Sequence, residues 1–316
     1  AERTFRHVLE LVGASPKPVA CEAYLGLARI HYEWNDLREA EEYGQLALQM
    51  GRQIEGIDTA VAAQLFLAQL ALTRGDIGTA NGCRAEVTRV SHQRQYAAQI
   101  PHIAACQIRI LLHQADVRAA AALLLQHDLP LSAAQVYLAQ GQATAALEAL
   151  AAYRQEMEAR SWRDEGLKAM VLQALAYQQH ADLETAVAVL GEAFTLAAPQ
   201  GYVRTFVDEG EPMRALLAEA ASRAIMPDYA HKLLTALEAK PNALVPPSSQ
   251  PLIEPLSERE LEILALIAEG LSNREISQRL FITLSTVKGH NGNIFGKLQV
   301  KRRTEAVARA RELDLI

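Results

Sequence analysis

Asp36, Asp76 and Asp116 stand 40 residues apart, each after a small or polar residue and each followed four positions later by alanine. The strings are Asn35-Asp36-Leu37 with Ala40, Gly75-Asp76-Ile77 with Ala80, and Ala115-Asp116-Val117 with Ala120. Ala181-Asp182-Leu183 with Ala186 is a further copy, and Gln142 with Ala146 holds the same place 40 residues before Asp182. Only the step from Asp116 to Gln142 is shorter, which predicts one abbreviated helix pair. A fixed period of this size restricts the chain to a stacked array of small units. The unit reads as a helix hairpin. One helix ends, the small or polar residue turns the chain, Asp caps the next helix, and Ala lets the two helices approach closely. Capping accounts for the repeated Asp residues without any appeal to acid catalysis.

Residues 1–240 are rich in Ala, Leu, Gln and Glu, which are good helix formers, and show almost no alternation of period two. Tyr24, Leu27, Ala28, Ala40 and Ala47 are similar to a tetratricopeptide repeat, and Leu67, Ala68, Ala80 and Val87 repeat the pattern. The period exceeds the usual 34 residues of that repeat, so longer helices or turns are implied. The expected fold of residues 1–240 is one all-helical, TPR-like superhelix with a concave inner surface and no sheet, with Asp36, Asp76, Asp116 and Asp182 at helix starts. Tyr24, Tyr32, Trp34, Tyr137, Tyr153, Trp162 and Tyr177 fit packing between these helices better than a sugar-binding face.

Between Lys240 and Pro255 the composition changes: Pro241, Pro246, Pro247, Pro251 and Pro255 crowd the stretch, with Ser248, Ser249 and Gln250 among them. Such a segment cannot propagate a helix and favours extended backbone. Residues 241–255 are therefore expected to be a linker about which two domains move independently.

Beyond it, residues 256–316 read as four short helices. Leu256-Ser257-Glu258-Arg259-Glu260 opens the first with a capping box, Leu261, Leu264 and Ile267 follow at helical spacing, and Gly270 stops it. Ser272-Asn273-Arg274-Glu275 repeats the box before a second helix with Ile276 and Leu280 as its apolar face. Phe281-Ile282-Thr283 makes a turn, and Thr283 or Ser285 caps a third helix running to about Leu298. Val287, Asn291, Ile294 and Leu298 share the core side of that helix, and Ser285, Lys288, Gly289, Gly292 and Gly296 share the other. Two helices joined by such a turn, the second freely presented, is the geometry that enters a DNA major groove.

The segment resembles the LuxR-type helix-turn-helix domain. The residues that carry the resemblance are Leu256 to Glu260, Gly270 to Ile276, Thr286-Val287-Lys288, His290, Asn293-Ile294, Lys297-Leu298 and Arg303-Thr304-Glu305-Ala306-Val307. The resemblance implies double-stranded DNA as partner, with Thr286 and Lys288 at the groove and Asn273, Arg274, Ser285, Gly289 and Gly292 among the DNA-binding residues. Lys301, Arg302 and Arg303 are implied near phosphates. Related modules usually carry base-reading side chains where this chain has Gly289 and Gly292, so weak and poorly selective DNA binding is expected. The last helix, with Val307, Ala310 and Leu313 on one face, is expected to pack mainly on the module, with a dimer contact as the alternative.

A second stretch, Phe194-Thr195-Leu196-Ala197 followed by Gly201 to Met213, resembles the region between helical repeats and DNA-binding module in large MalT-like regulators of the LuxR family. The resemblance implies repeats that bind a small-molecule inducer or a regulatory protein and control assembly into a homo-oligomer. Members carry an ATPase module upstream. This sequence has no Gly-x-x-x-x-Gly-Lys-Ser/Thr loop and so no nucleotide cradle of its own; its start at Ala1 reads as a piece of a longer protein, with removal of an initiator Met as the alternative.

The formal net charge is −6, which argues against the whole chain coating nucleic acid. From Gly270 to Arg311, however, nine Lys and Arg face two Glu. An acidic protein with one basic end suits a DNA contact confined to that end. Cys21, Cys83 and Cys106 have neither metal-ligand nor redox spacing, and an odd number argues against a disulfide framework, so a reducing cytoplasm is expected. No apolar run reaches membrane-spanning length. No nucleophile elbow, metal-ligand cluster or paired catalytic carboxylate is present, so neither enzymatic activity nor a cofactor is expected. The reading is a DNA-binding transcriptional regulator; the alternative is a helical-repeat interaction scaffold whose helix-turn-helix module binds DNA poorly.

Overall fold

A computed structural model describes the chain except for residues 13–16, 55–57, 95–98, 240–257, 269–270, 281–282, 298–302, 304–305, 307–309 and 311–316. For residues 90–94, 258–259, 261–262, 265, 284–285, 288, 293 and 295–297 it describes the helical backbone alone. The proline-rich linker expected at 241–255 lies outside the described residues. The chain divides into two compact units, Ala1–Asn242 and Ala243–Ile316. No strand occurs among the described residues.

In the first unit the helices are α1 (Glu2–Val12), α2 (Pro18–Glu33), α3 (Leu37–Gln53), α4 (Thr59–Thr73), α5 (Ile77–Arg94), α6 (Ile100–His113), α7 (Val117–Leu124), α8 (Pro130–Ala139), α9 (Ala143–Ala159), α10 (Arg163–Gln179) and α11 (Leu183–Ala197). The short α12 (Arg204–Val207), then α13 (Glu211–Ser222) and α14 (Pro227–Glu238), complete it. Helices α2 to α11 form five successive hairpins. The abbreviated pair is α7 and α8, as the short step from Asp116 to Gln142 predicts.

Each hairpin turns in the same way. Asn35, Gly75, Ala115, Gly141 and Ala181 take left-handed φ values of 64, 76, 59, 76 and 64°. The next residue then returns its amide to the closing helix: Asp36 N to His31 O, Asp76 N to Ala71 O, Asp116 N to Leu111 O, Gln142 N to Tyr137 O and Asp182 N to Tyr177 O, all at 2.8–2.9 Å. This six-to-one bond behind a left-handed residue is a Schellman ending. The residue that completes it is also the N-cap of the next helix, so the chain reverses within two residues.

All four Asp residues stand at helix starts. Three of them cap: Asp76 accepts from the Thr79 amide at 2.9 Å, Asp116 from Ala119 at 3.0 Å and Asp182 from Thr185 at 3.1 Å. Asp36 instead approaches His31, with Oδ2 3.5 Å from Nδ1. Bonding to Thr79 and Thr185 holds the Asp76 and Asp182 carboxyls below the usual carboxylate range. Ala40, Ala80, Ala120, Ala146 and Ala186 are fully buried, the close approach that their spacing predicts.

The array is closed at its end. Phe206 of α12 packs edge-on against Phe194 of α11 (5.6 Å between centroids) and Tyr229 of α14 (6.0 Å). Residues 200–208 then meet the first complete hairpin. The Val203 amide donates to Glu33 O at 2.6 Å, the Trp34 indole to Gln200 O at 2.9 Å, and the Thr205 amide and hydroxyl to the Glu33 carboxylate at 3.1 and 2.9 Å. Gly201 sits at φ 74°, and a Cβ there would lie 3.3 Å from the Trp34 ring, so both backbone and space require glycine.

In the second unit, α15 (Glu258–Ala268), α16 (Asn273–Arg279) and α17 (Leu284–Lys297) bury Ile263, Leu264, Leu266, Ile267, Ile276, Val287 and Ile294 together with Ala306 and Ala310. Arg303, Ala306 and Ala310 are helical, at the place of the expected fourth helix.

Candidate nucleic-acid interface and repeat chamber

The second capping box forms as the sequence reads it. Ser272 N donates to the Glu275 carboxylate at 2.6 Å, and Glu275 N returns to Ser272 Oγ at 3.4 Å. Bonding to Ser272 depresses the Glu275 carboxyl below its usual range. Ser257, the cap of the first box, lies outside the described residues. Of the two caps open for α17, Thr283 is used: its Oγ1 accepts from the Thr286 amide at 3.2 Å.

Helix α17 is two-sided. Val287, Asn291 and Ile294 are buried, and His290 is half-buried between the two sides. Thr286, Gly289 and Gly292 are exposed, and a Cβ added at either glycine would meet nothing within 4 Å. The Thr286 hydroxyl lies 2.8 Å from that of Thr283, so it is drawn into the helix cap. Arg274, at the start of α16, is exposed. The Ser285 and Lys288 side chains, and all of Lys301 and Arg302, lie outside the described residues.

Asn273 and Arg303, both expected at the DNA, are half-buried and bonded to each other. The Asn273 amide oxygen accepts from Asn291 Nδ2 at 2.9 Å and from the Arg303 guanidinium at 3.4 Å. Arg303 donates further to the Ile267 carbonyl at 3.3 Å and to that of Leu271. These carbonyls belong to the end of α15 and the turn after it, where a helix leaves acceptors unpaired. Arg303 therefore ties the α15–α16 turn to the last helix through the start of α16. The adjacent basic residues Lys301 and Arg302 suggest a phosphate-binding cluster, which is why the sequence alone points Arg303 outward.

The first unit holds a half-open cavity of about 1340 Å³. Tyr32, Arg109, Gln135, Lys168, Arg204 and Glu209 are among the residues that line it, and they come from five helices and the segment after α12. Of the aromatics read as packing, Tyr32, Tyr153 and Trp162 line this cavity, whereas Tyr24 stacks on Tyr43 at 6.2 Å. At one end the Tyr32 hydroxyl donates to Asp208 at 2.6 Å and shares a bond with Thr73 Oγ1 at 2.7 Å. Arg204 is paired with Asp208, lies over the Tyr32 ring at 5.7 Å and donates to Asn35 at 3.2 Å. Burial opposes the Arg204 charge, but Asp208 more than compensates and raises its pKa. Burial also pushes the Tyr32 hydroxyl and the Glu33 carboxyl up. Glu209 accepts from Gln135 at 3.2 Å; burial first, then the neighbouring Asp208 charge, push its carboxyl up to about 7. Across the cavity, burial pushes Glu165 up, but Lys168 at 2.7 Å and the Tyr153 hydroxyl at 2.9 Å hold it below its usual range.

Comparison with known proteins follows the same division. Residues 1–223 match the family model of the MalT-like TPR region. The chain belongs to that family. Residues 254–310 of this MalT-like chain match a second model, that of bacterial regulatory proteins of the luxR family. A similar segment occurs in the transcriptional regulatory protein LiaR of Bacillus subtilis, 54% identical over 63 residues, which is 20% of this chain and 30% of LiaR. The response regulator protein VraR of Staphylococcus aureus is 54% identical over 65 residues, 21% of this chain and 31% of VraR. The match thus spans about a third of the length of these relatives. The MalT-like chain has no helix among its described residues long and apolar enough to cross a membrane.

Proposed function

We propose that this MalT-like chain is a DNA-binding transcriptional regulator, in which the repeats take up an effector and the C-terminal unit contacts double-stranded DNA through α17. The observation that carries the reading is the two-sidedness of α17: Val287, Asn291 and Ile294 bury one side, and Thr286, Gly289 and Gly292 leave the other open. The luxR-family match and the basic surplus of residues 270–311 support it. Backbone amides, the exposed Arg274 and the basic residues around position 301 supply phosphate contacts, which give affinity without selecting sequence. Because Gly289 and Gly292 offer no side chain to base edges, sequence discrimination is weak. The cavity of the first unit is the place for the effector, and the absence of nucleophile or metal-ligand motifs favours a non-enzymatic role. The chain acts in the cytoplasm and self-associates as part of its control.

Gly292→Arg tests the reading. Open space surrounds the position, so the substitution stabilises α17 by about 0.8–1 kcal/mol of helix propensity and adds a guanidinium to the open face. Duplex affinity of the whole chain, measured by fluorescence anisotropy at fixed salt, is expected to rise. An unchanged or weaker affinity with the helix intact would place DNA elsewhere. The bare glycine face also favours a second reading, an interaction scaffold, and complete failure to bind duplex DNA at low salt would select it.

A further inference from the structure

The wall of the repeat chamber carries a cation that holds no ion pair or side-chain hydrogen bond among the described residues. That cation is the guanidinium of Arg109 on α6. The other strong cations of that wall are committed, Arg204 to Asp208 and Lys168 to Glu165. The carboxylates of the wall are occupied as well. Asp208 and Glu165 hold those cations, and Glu33 accepts from the Thr205 amide and hydroxyl. Burial pushes the Glu209 carboxyl up to about 7 even though the Arg109 charge lowers it, and Glu209 is bonded to Gln135 rather than paired with Arg109.

A guanidinium presents five donors in a planar fork that matches two oxygens of a carboxylate or phosphate, and leaving it unused in a partly desolvated wall is unfavourable. A chamber of about 1340 Å³ is larger than the ~300–1,000 Å³ typical of small-molecule sites, so a metabolite-sized ligand has room beside it. The amides of Gln69, Gln135 and Gln178 on the same wall suit hydroxyl or carbonyl groups of such a ligand. We propose that the chamber binds a small organic anion, with its carboxylate or phosphate group seated on Arg109. The proposal rests on the effector reading above and names the chemical class of that effector.

Calorimetric titration of the whole chain with inorganic phosphate, with succinate and with the neutral trisaccharide raffinose tests it, with potassium chloride of matched ionic strength as control. Saturable binding of phosphate or succinate is expected, and whichever binds identifies the oxyanion. Arg109→Gln is expected to weaken that binding about tenfold or more, the loss of a charge-assisted bond. Arg109→Lys, which keeps the charge, retains part of it, and Arg118→Gln on the exposed side of α7 leaves it unchanged. Circular dichroism of each variant separates lost binding from lost fold. Anion binding undiminished in a folded Arg109→Gln chain overturns the assignment, as does the absence of saturable binding by either anion. Saturable binding of raffinose alone overturns the anionic class while leaving the effector reading in place.

Discussion

The Tyr32 hydroxyl donates to Asp208 at 2.6 Å across 176 residues of sequence. That bond joins the first complete hairpin of the array to the segment that follows its last repeat, and it gives one wall of the chamber a fixed edge. Arg204, whose side chain is 6% exposed, completes the cluster through its pair with Asp208.

Breaking the cluster is therefore costly and non-additive. Asp208→Ala leaves a buried guanidinium without its partner and is expected to destabilise the first unit by about 3–5 kcal/mol. Tyr32→Phe removes one bond of a charged pair and is expected to cost about 1–3 kcal/mol. In urea unfolding followed by tryptophan fluorescence, which reports Trp34 and Trp162, the double variant should fall short of the sum by at least about 0.5 kcal/mol. Strict additivity would show that Tyr32 and Asp208 act independently.

The hairpin turns predict changes of opposite sign at equivalent positions. Ala115→Gly and Ala181→Gly relieve left-handed φ values of 59 and 64° and are expected to stabilise by about 0.5–1 kcal/mol net of unfolded-chain entropy. Gly75→Ala should destabilise by about 1 kcal/mol. Asp76→Ala should cost about 0.5–2 kcal/mol as a lost cap, and Asp36→Ala less, since Asp36 makes no capping bond as close as that of Asp76. Thermal melts of the five variants check these signs.

Glu209 makes stability fall as pH rises. Its carboxyl titrates at about 7 in the folded chain against an ordinary value near 4.5. The folded state thus binds more protons in that window, and the stabilisation present below pH ~4.5 is lost as pH passes through ~7. Glu209→Gln is expected to be more stable than the parent above pH ~7, by an amount on the order of 1–3 kcal/mol, and to lose that advantage toward pH ~4.5. Parallel pH series of urea midpoints measure the difference; one that stays constant with pH would refute it.

How much of this is legible in the sequence depends on the range of the interaction. The hairpins are local: a small or left-handed residue, a cap and a buried Ala lie within six positions, so their spacing predicts both the turns and the shortened α7–α8 pair. The capping box at Ser272 and the sidedness of α17 are local in the same sense. The closure of the chamber is not, because nothing in the neighbourhood of Tyr32 points to Asp208. The run from Gly201 to Met213 stands out in sequence, yet its partner hairpin is visible only once the repeats have stacked. Arg303 shows the same limit on a smaller scale. Its basic neighbours suggest phosphate, whereas its position relative to the α15 carbonyls gives it an internal task.

That task yields a prediction distinct from DNA contact. Arg303→Ala releases the Ile267 and Leu271 carbonyls and one bond to Asn273, and is expected to destabilise the C-terminal unit by about 1–3 kcal/mol. Hydrogen exchange in α15 and α16 should accelerate in this variant without added DNA. Unchanged exchange with weakened duplex binding would return Arg303 to the phosphates.

The most direct test of the central claim is a titration of the whole chain against labelled duplexes of unrelated sequence over a series of salt concentrations. Contact through phosphates with a bare α17 predicts log K falling linearly with log salt, at nearly the same affinity for every duplex. Tight binding of one duplex with the others excluded, or binding indifferent to salt, would contradict it.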